Sequence, residues 1–316
     1  MKRFLTTCAA AMLLSAPVLS HAEATAAEPL VVEVAASTRC VNVMGKAKPS
    51  LPADIPLAIK RGIVRGYVRD SQGHPLRGAV IGVRSSAIGG AYSGAAGKTD
   101  AKGYYEVAAP WGAASFYCAG YTVEYGDGIA AMGLCPADGD IDGFATADGA
   151  VKNWVLVPFG VADRAGVQDN PQYSGNYYGG TVIVNYQIDT DAGDSNSKAL
   201  PPNSQIELTF TPEGPLVDGR KGRTIVVRRM VGDGWAQSLY VNNIPVAPYH
   251  LTAKLVDGGP LKIKETGMYR NEAFGLDPKE STDGVSLLLK ADGAKPNMVT
   301  AAHGNWREMQ ITLERP

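Results

Sequence analysis

Apolar residues in this chain come in short runs, and nearly every run is cut off by Gly, Pro, Asn or Asp. Ile63-Val64-Arg65-Gly66-Tyr67-Val68-Arg69 alternates apolar with polar positions until Asp70-Ser71-Gln72-Gly73-His74-Pro75 turns the chain, and Ala79-Val80-Ile81-Gly82-Val83 returns. A period of two fits half-buried strands, and runs this short leave no room for long amphipathic helices. The 37 Gly and 20 Pro of the 316 residues are spread along the chain rather than gathered in one tract, which is the texture of a folded all-β protein with many turns. Strands of this kind bury their apolar faces by stacking sheet on sheet.

The first residues set the compartment. Lys2 and Arg3 precede an apolar stretch from Phe4 to Leu19, and Ser20-His21-Ala22 supplies small residues where a signal peptidase reads. This is the pattern of a secretory leader over residues 1–22, too short and too early for a membrane anchor. Cys8 precedes the apolar centre, which disfavours a lipoprotein anchor. Loss of Lys2 and Arg3 takes the formal net charge from −1 to −3, so an exported, soluble, mildly acidic protein is expected, periplasmic or secreted. Without basic clusters it is a poor partner for nucleic acid, and no second apolar run is long enough for membrane insertion.

Residues 23–60 read as an N-terminal arm, with one strand at Leu30-Val31-Val32-Glu33-Val34 and then Pro49, Pro52 and Pro56 breaking regular structure. Residues 61–159 form a first β domain, including a Gly- and Ser-rich loop from Ser85 to Gly97 and strands at 114–118 and 151–157. Residues 160–175 are turn-rich and read as a linker. Residues 176–316 form a second β domain, with strands expected at 180–188, 204–210, 224–230, 238–241, 249–256, 285–290 and 309–313. Residues 267–283 are the one segment with helical character.

The first domain carries a resemblance. Gly66-x-Val68, Asp70-x-x-Gly73-x-Pro75-Leu76-x-Gly78-Ala79, Thr99-Asp100-x-x-Gly103-Tyr104-Tyr105 and Pro110-x-Gly112 resemble the carboxypeptidase regulatory-like domain. The resemblance implies a transthyretin-like β-sandwich and, since these residues build turns, no chemistry. The stretch between Val83 and Thr99 is longer than that pattern implies. Gly175-x-Tyr177-x-Gly179-Gly180, Thr211-Pro212-Glu213-Gly214-Pro215 and Ile244-Pro245 resemble exported bacterial proteins that join such a domain to a second β domain. The architecture expected is two tandem β-sandwiches, and the resemblance leaves function open.

Catalytic signatures are absent. The mature chain has His74, His250 and His303, none followed closely by Glu, so neither HExxH nor a carboxypeptidase-type zinc set is present. There is no Gly-x-Ser-x-Gly elbow, and Ser195-x-x-Lys198 lies in a polar loop without companion motifs. Three cysteines survive export, Cys40, Cys118 and Cys135. An oxidising compartment favours one disulfide, and Cys118–Cys135 closes the shortest loop, although three pairings, or three buried thiols, are open.

Two clusters can bind something. Asp138-Gly139-Asp140-Ile141-Asp142-Gly143, with Asp148 nearby, matches the first half of a calcium loop, yet Gly149 stands where the bidentate Glu belongs. Calcium binding and a solvated acidic turn are both open, and no other cofactor is implied. Tyr173, Tyr177, Tyr178, Tyr186 and Trp235 either present rings to a sugar or peptide or line the core and domain interface. The function expected is a non-catalytic binding or adhesion-type module for a cell-envelope or extracellular glycan or protein. The alternatives are an assembly accessory that recognises protein through sheet edges, which an N-terminal arm laid over those edges would argue against, and an enzyme of unrecognised type.

Overall fold

A computed structural model describes residues 27–87, 90–189, 198–234, 236–268 and 273–316. The leader, Trp235, Ser195, Asp191 and Asp194 lie outside the described residues. The arm carries β1 (Leu30–Val34) and β2 (Cys40–Asn42). Then follow β3 (Ile63–Asp70), β4 (Val80–Ser86), β5 (Tyr92–Lys98), β6 (Tyr104–Ala108), β7 (Ala113–Tyr125), β8 (Gly128–Gly133), β9 (Cys135–Pro136), β10 (Phe144–Ala145), β11 (Ala150–Val151) and β12 (Trp154–Leu156). After a short helix α1 (Arg164–Asp169) come β13 (Gly180–Gln187), β14 (Gln205–Pro212), β15 (Ile225–Met230), β16 (Ala236–Ile244), β17 (Tyr249–Leu255), β18 (Lys262–Thr266), β19 (Gly275–Asp277), β20 (Glu280–Ser281), β21 (Val285–Leu288) and β22 (Met309–Glu314).

The first sandwich stacks the sheet β10-β7-β4-β5, with β8 added along β7, on the sheet β11-β3-β12-β9, with β6 added along β3. Alternation in β3 turns Val64 and Val68 inward against Trp154, Tyr105 and Ile81, all with 1 % exposure or less. Phe116 of β7 meets Trp154 of β12 edge-on across the layers at 5.3 Å. Gly66 is required by close approach, since a Cβ there would collide with the Lys152 carbonyl, which instead accepts the Tyr105 hydroxyl at 2.8 Å.

The second sandwich stacks β1-β15-β14-β17-β21-β19 on β2-β16-β13-β22-β18-β20. Its buried rings Phe210 and Tyr249 meet edge-on at 6.1 Å. Each expected strand of this domain is present within a few residues of its expected ends. The expected helix at 267–283 is not there: its described part holds β19 and β20, and Leu276 is pinned by its backbone N–H to Glu265 Oε2 at 2.7 Å. The expected linker at 160–175 contains α1, capped by Asp163, whose carboxylate accepts the Gly166 N–H at 2.9 Å.

The arm is not a free leader strand. β1 runs parallel to β15, Leu30 opposite Ile225, and β2 runs parallel to β16, Cys40 opposite Tyr240. Residues from before the first sandwich therefore supply one edge strand to each sheet of the second. A further tie is the tip of the β7–β8 hairpin. Tyr125 is buried there, donates its hydroxyl to the Ala247 carbonyl at 3.1 Å and accepts the Leu289 N–H at 2.9 Å. Its ring stacks on Phe274 and meets Trp306 edge-on.

Candidate binding surfaces

The tyrosines expected to present a platform divide. Tyr177, Tyr178 and Tyr186 are at most 3 % exposed, while Tyr173 is 50 % exposed. Tyr186 faces inward from β13 and its hydroxyl donates to Gln237 Oε1 at 2.7 Å; Tyr177 donates to the Pro171 carbonyl at 2.9 Å. Burial pushes the Tyr177 hydroxyl up to about 12, so it is a neutral donor at any physiological pH. A continuous ring platform is therefore corrected to one ring, Tyr173, beside a groove of about 300 Å³ that also presents Asn170, Gln172, Tyr240, Glu308 and Gln310. Trp235 lies outside the described residues.

The acidic loop already holds a cation of its own. Lys152, 8 % exposed, reaches out between β11 and β12 and donates to Asp138 Oδ2 at 2.7 Å and to the Asp140 carbonyl at 2.8 Å. Asp142 gives its backbone N–H to Asp140 Oδ1 at 2.8 Å, the first cause of a carboxyl held below the ordinary range, with the Lys152 charge assisting against partial burial. Among the described residues no three or more acids, histidines or cysteines gather as a metal site, so Asp138, Asp140, Asp142 and Asp148 are not brought together.

The described cysteines, Cys40, Cys118 and Cys135, are free. Cys118 on β7 packs against Gly82 of its own sheet, where an added Cβ would lie 2.8 Å from its sulfur. Cys135 belongs to the opposite sheet, and its thiol donates to the Pro136 carbonyl at 3.5 Å. The expected Cys118–Cys135 bond is thus replaced by two thiols on different layers, each pushed up to about 11 by burial and so poorly nucleophilic. The three histidines sit with three different acids: His74 on Asp70 at 2.8 Å, His250 beside Glu213 and His303 beside Asp163, both at 4.0 Å.

Two features went unseen in the sequence. The first is how the arm is fastened. Arg229 of β15 is buried at 2 % exposure, and its guanidinium donates to the carbonyls of Ala35, Ala36 and Thr38 in the turn between β1 and β2. Tyr186 Oη and Gln237 Oε1 accept its remaining donors. A buried guanidinium with every face occupied is a specific lock, since any lost acceptor leaves a buried charge under-satisfied.

The second is an open edge. β5 pairs antiparallel with β4 from Ser86–Tyr92 to Val80–Lys98, and no other strand among the described residues pairs with its far side. Its sequence Tyr-Ser-Gly-Ala-Ala-Gly-Lys has no Pro and no charge before Lys98. Near that end Gly97 closes on Val107 of the opposite sheet, while a Cβ at Gly94 would make only ordinary van der Waals contact, 3.8 Å from the Tyr117 ring and the Val83 carbonyl. Tyr92 is 72 % exposed under the Arg84 guanidinium, and Trp111, 70 % exposed, projects from the neighbouring turn whose carbonyl accepts the Ser85 hydroxyl.

Fold and surface define a protein of two β-sandwiches, one whose sheets are each extended by a strand of the chain's own arm and one with a long edge unpaired. No family model matches the chain, and no curated protein matches it. Among solved structures it is similar to the Bacillus anthracis TIE protein, at 12 % identity and a TM-score of 0.27, covering 81 % of this chain and 34 % of that one. It is similar to a streptococcal ancillary pilin, at 14 % identity and a TM-score of 0.21, covering 78 % and 62 %. It is also similar to the shaft pilin SpaA from Lactobacillus rhamnosus GG, at 9 % identity and a TM-score of 0.20, covering 81 % and 98 %. The chain thus spans about a third and under two thirds of the first two. These scores carry no functional argument, and the fold rests on this chain's own strand pairing.

Proposed function

We propose that this is an exported, non-catalytic binding module of the adhesion or assembly type, which takes an extended segment of a cell-envelope or extracellular protein onto β5. The first sandwich is read as carboxypeptidase regulatory-like in this proposal. The observation that carries it is the unpaired edge of β5 beside Tyr92 and Trp111. A free edge offers a ladder of backbone donors and acceptors for a partner strand, and flanking aromatics supply area at small entropic cost. The arm strand β1, an edge of the second sandwich, carries Glu33, whereas β5 has no charge before Lys98, so strand addition is assigned to the first sandwich.

The test is a peptide array probed with the mature full chain and with two variants, Gly94→Pro and Gly94→Ala. Proline removes a donor and blocks the ladder, whereas an alanine Cβ makes only ordinary van der Waals contact with Tyr117 and the Val83 carbonyl. Peptide capture lost with proline and kept with alanine supports the proposal. Capture indifferent to proline overturns it.

A glycan is the second reading, favoured by one observation: the exposed Tyr173 beside a groove with two amides, Gln172 and Asn170, and the carboxylate of Glu308. An aromatic face with planar polar groups suits a sugar ring. Glycan-array binding that Tyr173→Ala abolishes, with no peptide captured, would replace the first reading with this one.

A further inference from the structure

A cavity of about 210 Å³ lies where the arm meets the second sandwich. Leu30 of β1, Met44, Leu216 and Ile225 line it, and Phe159 arrives from the end of the first sandwich. Leu30 and Ile225 are register partners, so this lining exists only while β1 is docked. The mouth is cationic, lined by Arg220, Lys221 and Arg223. Lys221 and Arg223 are exposed, and neither has an acidic partner among the described residues.

Arg220 is held in place from below. Its Nε donates to Asp218 Oδ2 at 2.6 Å, and the same oxygen accepts the Ser71 hydroxyl of the first sandwich. Asp218 is fully buried and its carbonyl accepts Gln72 Nε2 at 2.5 Å. The other end of the guanidinium is not satisfied: Nη2 is buried with no acceptor. A buried donor without an acceptor is destabilising and calls for an explanation. An anion at the cavity mouth supplies one after a small side-chain movement, and the apolar walls accept whatever tail the anion carries.

We infer that this cavity binds a short amphipathic anion, an aliphatic carboxylate whose chain enters between Leu30, Leu216 and Ile225 and whose head lies among Arg220, Lys221 and Arg223. The site is independent of β5 and of the peptide reading. An occupant would touch β1 and β15 at once and so hold the arm down.

The experiment uses the mature full chain with sodium octanoate below its micellar range, read by calorimetry and by amide exchange of residues 30–34. Saturable binding with slower exchange in β1 is expected. Hexanoate should bind about tenfold more weakly, the worth of two methylenes. The double variant Lys221→Gln, Arg223→Gln, both exposed and outside the Asp218 network, should lose roughly tenfold as two charge-assisted contacts go. Octanol binding as well as octanoate would overturn the role of the cations. Acetate binding as well as octanoate would overturn the role of the cavity. No saturable binding, or binding only to phosphatidylglycerol vesicles, would overturn the site altogether.

Discussion

The two sandwiches share an architecture and differ in what is done with their edges. In the second, β1 and β2 lie along β15 and β16, and the opposite edges end in strands of three and two residues, β19 and β20. In the first, β9 contains Pro136 and β10 and β11 have two residues each, but β5 runs for seven with one side unpaired. A long uncharged edge is a template for pairing with another chain, and proteins usually shorten, charge or cover it. One chain thus spends its N-terminal arm on covering one sandwich and leaves an edge of the other bare. The difference teaches that the arm belongs to the second sandwich's fold, and that β5 is where a partner strand can be received.

Removing the arm breaks the comparison most severely. Deleting residues 23–43 exposes β15 and β16 and strips Arg229 of its three carbonyl acceptors. Loss of one partner of a buried charge costs about 3–5 kcal/mol, and bare edges favour association. The deletion should therefore lower the urea midpoint by more than any point substitution and give oligomers on a sizing column. Arg229→Ala, which leaves the strands in the chain but removes their lock, should recover a monomer less stable by about 3 kcal/mol. An unchanged midpoint in the deletion would mean that the arm is an ornament.

Next comes the seam between the sandwiches. Asp218 accepts from Ser71 across the junction and from Arg220 beside it, with its side chain fully buried. Asp218→Ala should cost about 2–3 kcal/mol, since charge-assisted bonds are lost and Arg220 is left with less still. Unfolding followed by near-ultraviolet circular dichroism and by Trp fluorescence should then separate into two transitions where the parent shows one. Coincident transitions in the variant would place the coupling in the Tyr125 hairpin instead.

Which parts were readable follows from how sequence encodes burial. β3 and the strands of the second sandwich alternate because one face is buried, and the period survives in Val64-x-Gly66-x-Val68 and in Ile206-x-Leu208-x-Phe210. The sequence of β5 reads as a loop because Ser, Gly and Ala on an edge have no apolar period to show. Its strand character comes from pairing with β4, a tertiary fact. The Leu30–Val34 strand was visible, but its partner lies nearly two hundred positions away, and parallel pairing leaves no local turn to betray it. The Asp138–Asp142 loop looked like half a calcium site because the residue that fills it, Lys152, comes from outside the motif. Tyr177, Tyr178 and Tyr186 show the opposite failure: tyrosine in a strand-rich segment reads alike whether it faces solvent or core.

Near the far edges of the second sandwich the β18 carboxylate Glu265 is held in a network of its own. Burial pushes the Glu265 carboxyl up, but Lys290 at 2.5 Å, the Leu276 N–H at 2.7 Å and Lys279 at 3.0 Å outweigh it and hold the group below the ordinary carboxylate range. A depressed folded value contributes stability above the unfolded value of about 4.3, lost as pH falls through the folded value beneath it. Glu265→Gln should cost about 1–2 kcal/mol at neutral pH. The gap between parent and variant urea midpoints should narrow as pH drops below about 4.3. A gap that holds constant down to pH 2 would show that the carboxylate charge contributes nothing.

The smallest effect on stability carries the sharpest test of the contrast. Gly94→Lys adds a charge to the bare edge at a position where a Cβ meets nothing closer than 3.8 Å, between Ser93 and Ala95. Surface substitutions of this kind change stability by about 0.5 kcal/mol or less. Edge lysines nonetheless act strongly against strand addition, because a partner's ladder must bury or displace the ammonium. The unfolding midpoint should barely move while capture of extended peptides falls steeply. The same lysine placed at Val31, 46 % exposed on the arm strand β1 at the edge of the second sandwich, should leave peptide capture untouched. If the two lysines behave alike, the distinction between a covered and a receiving sandwich fails, however well each half folds.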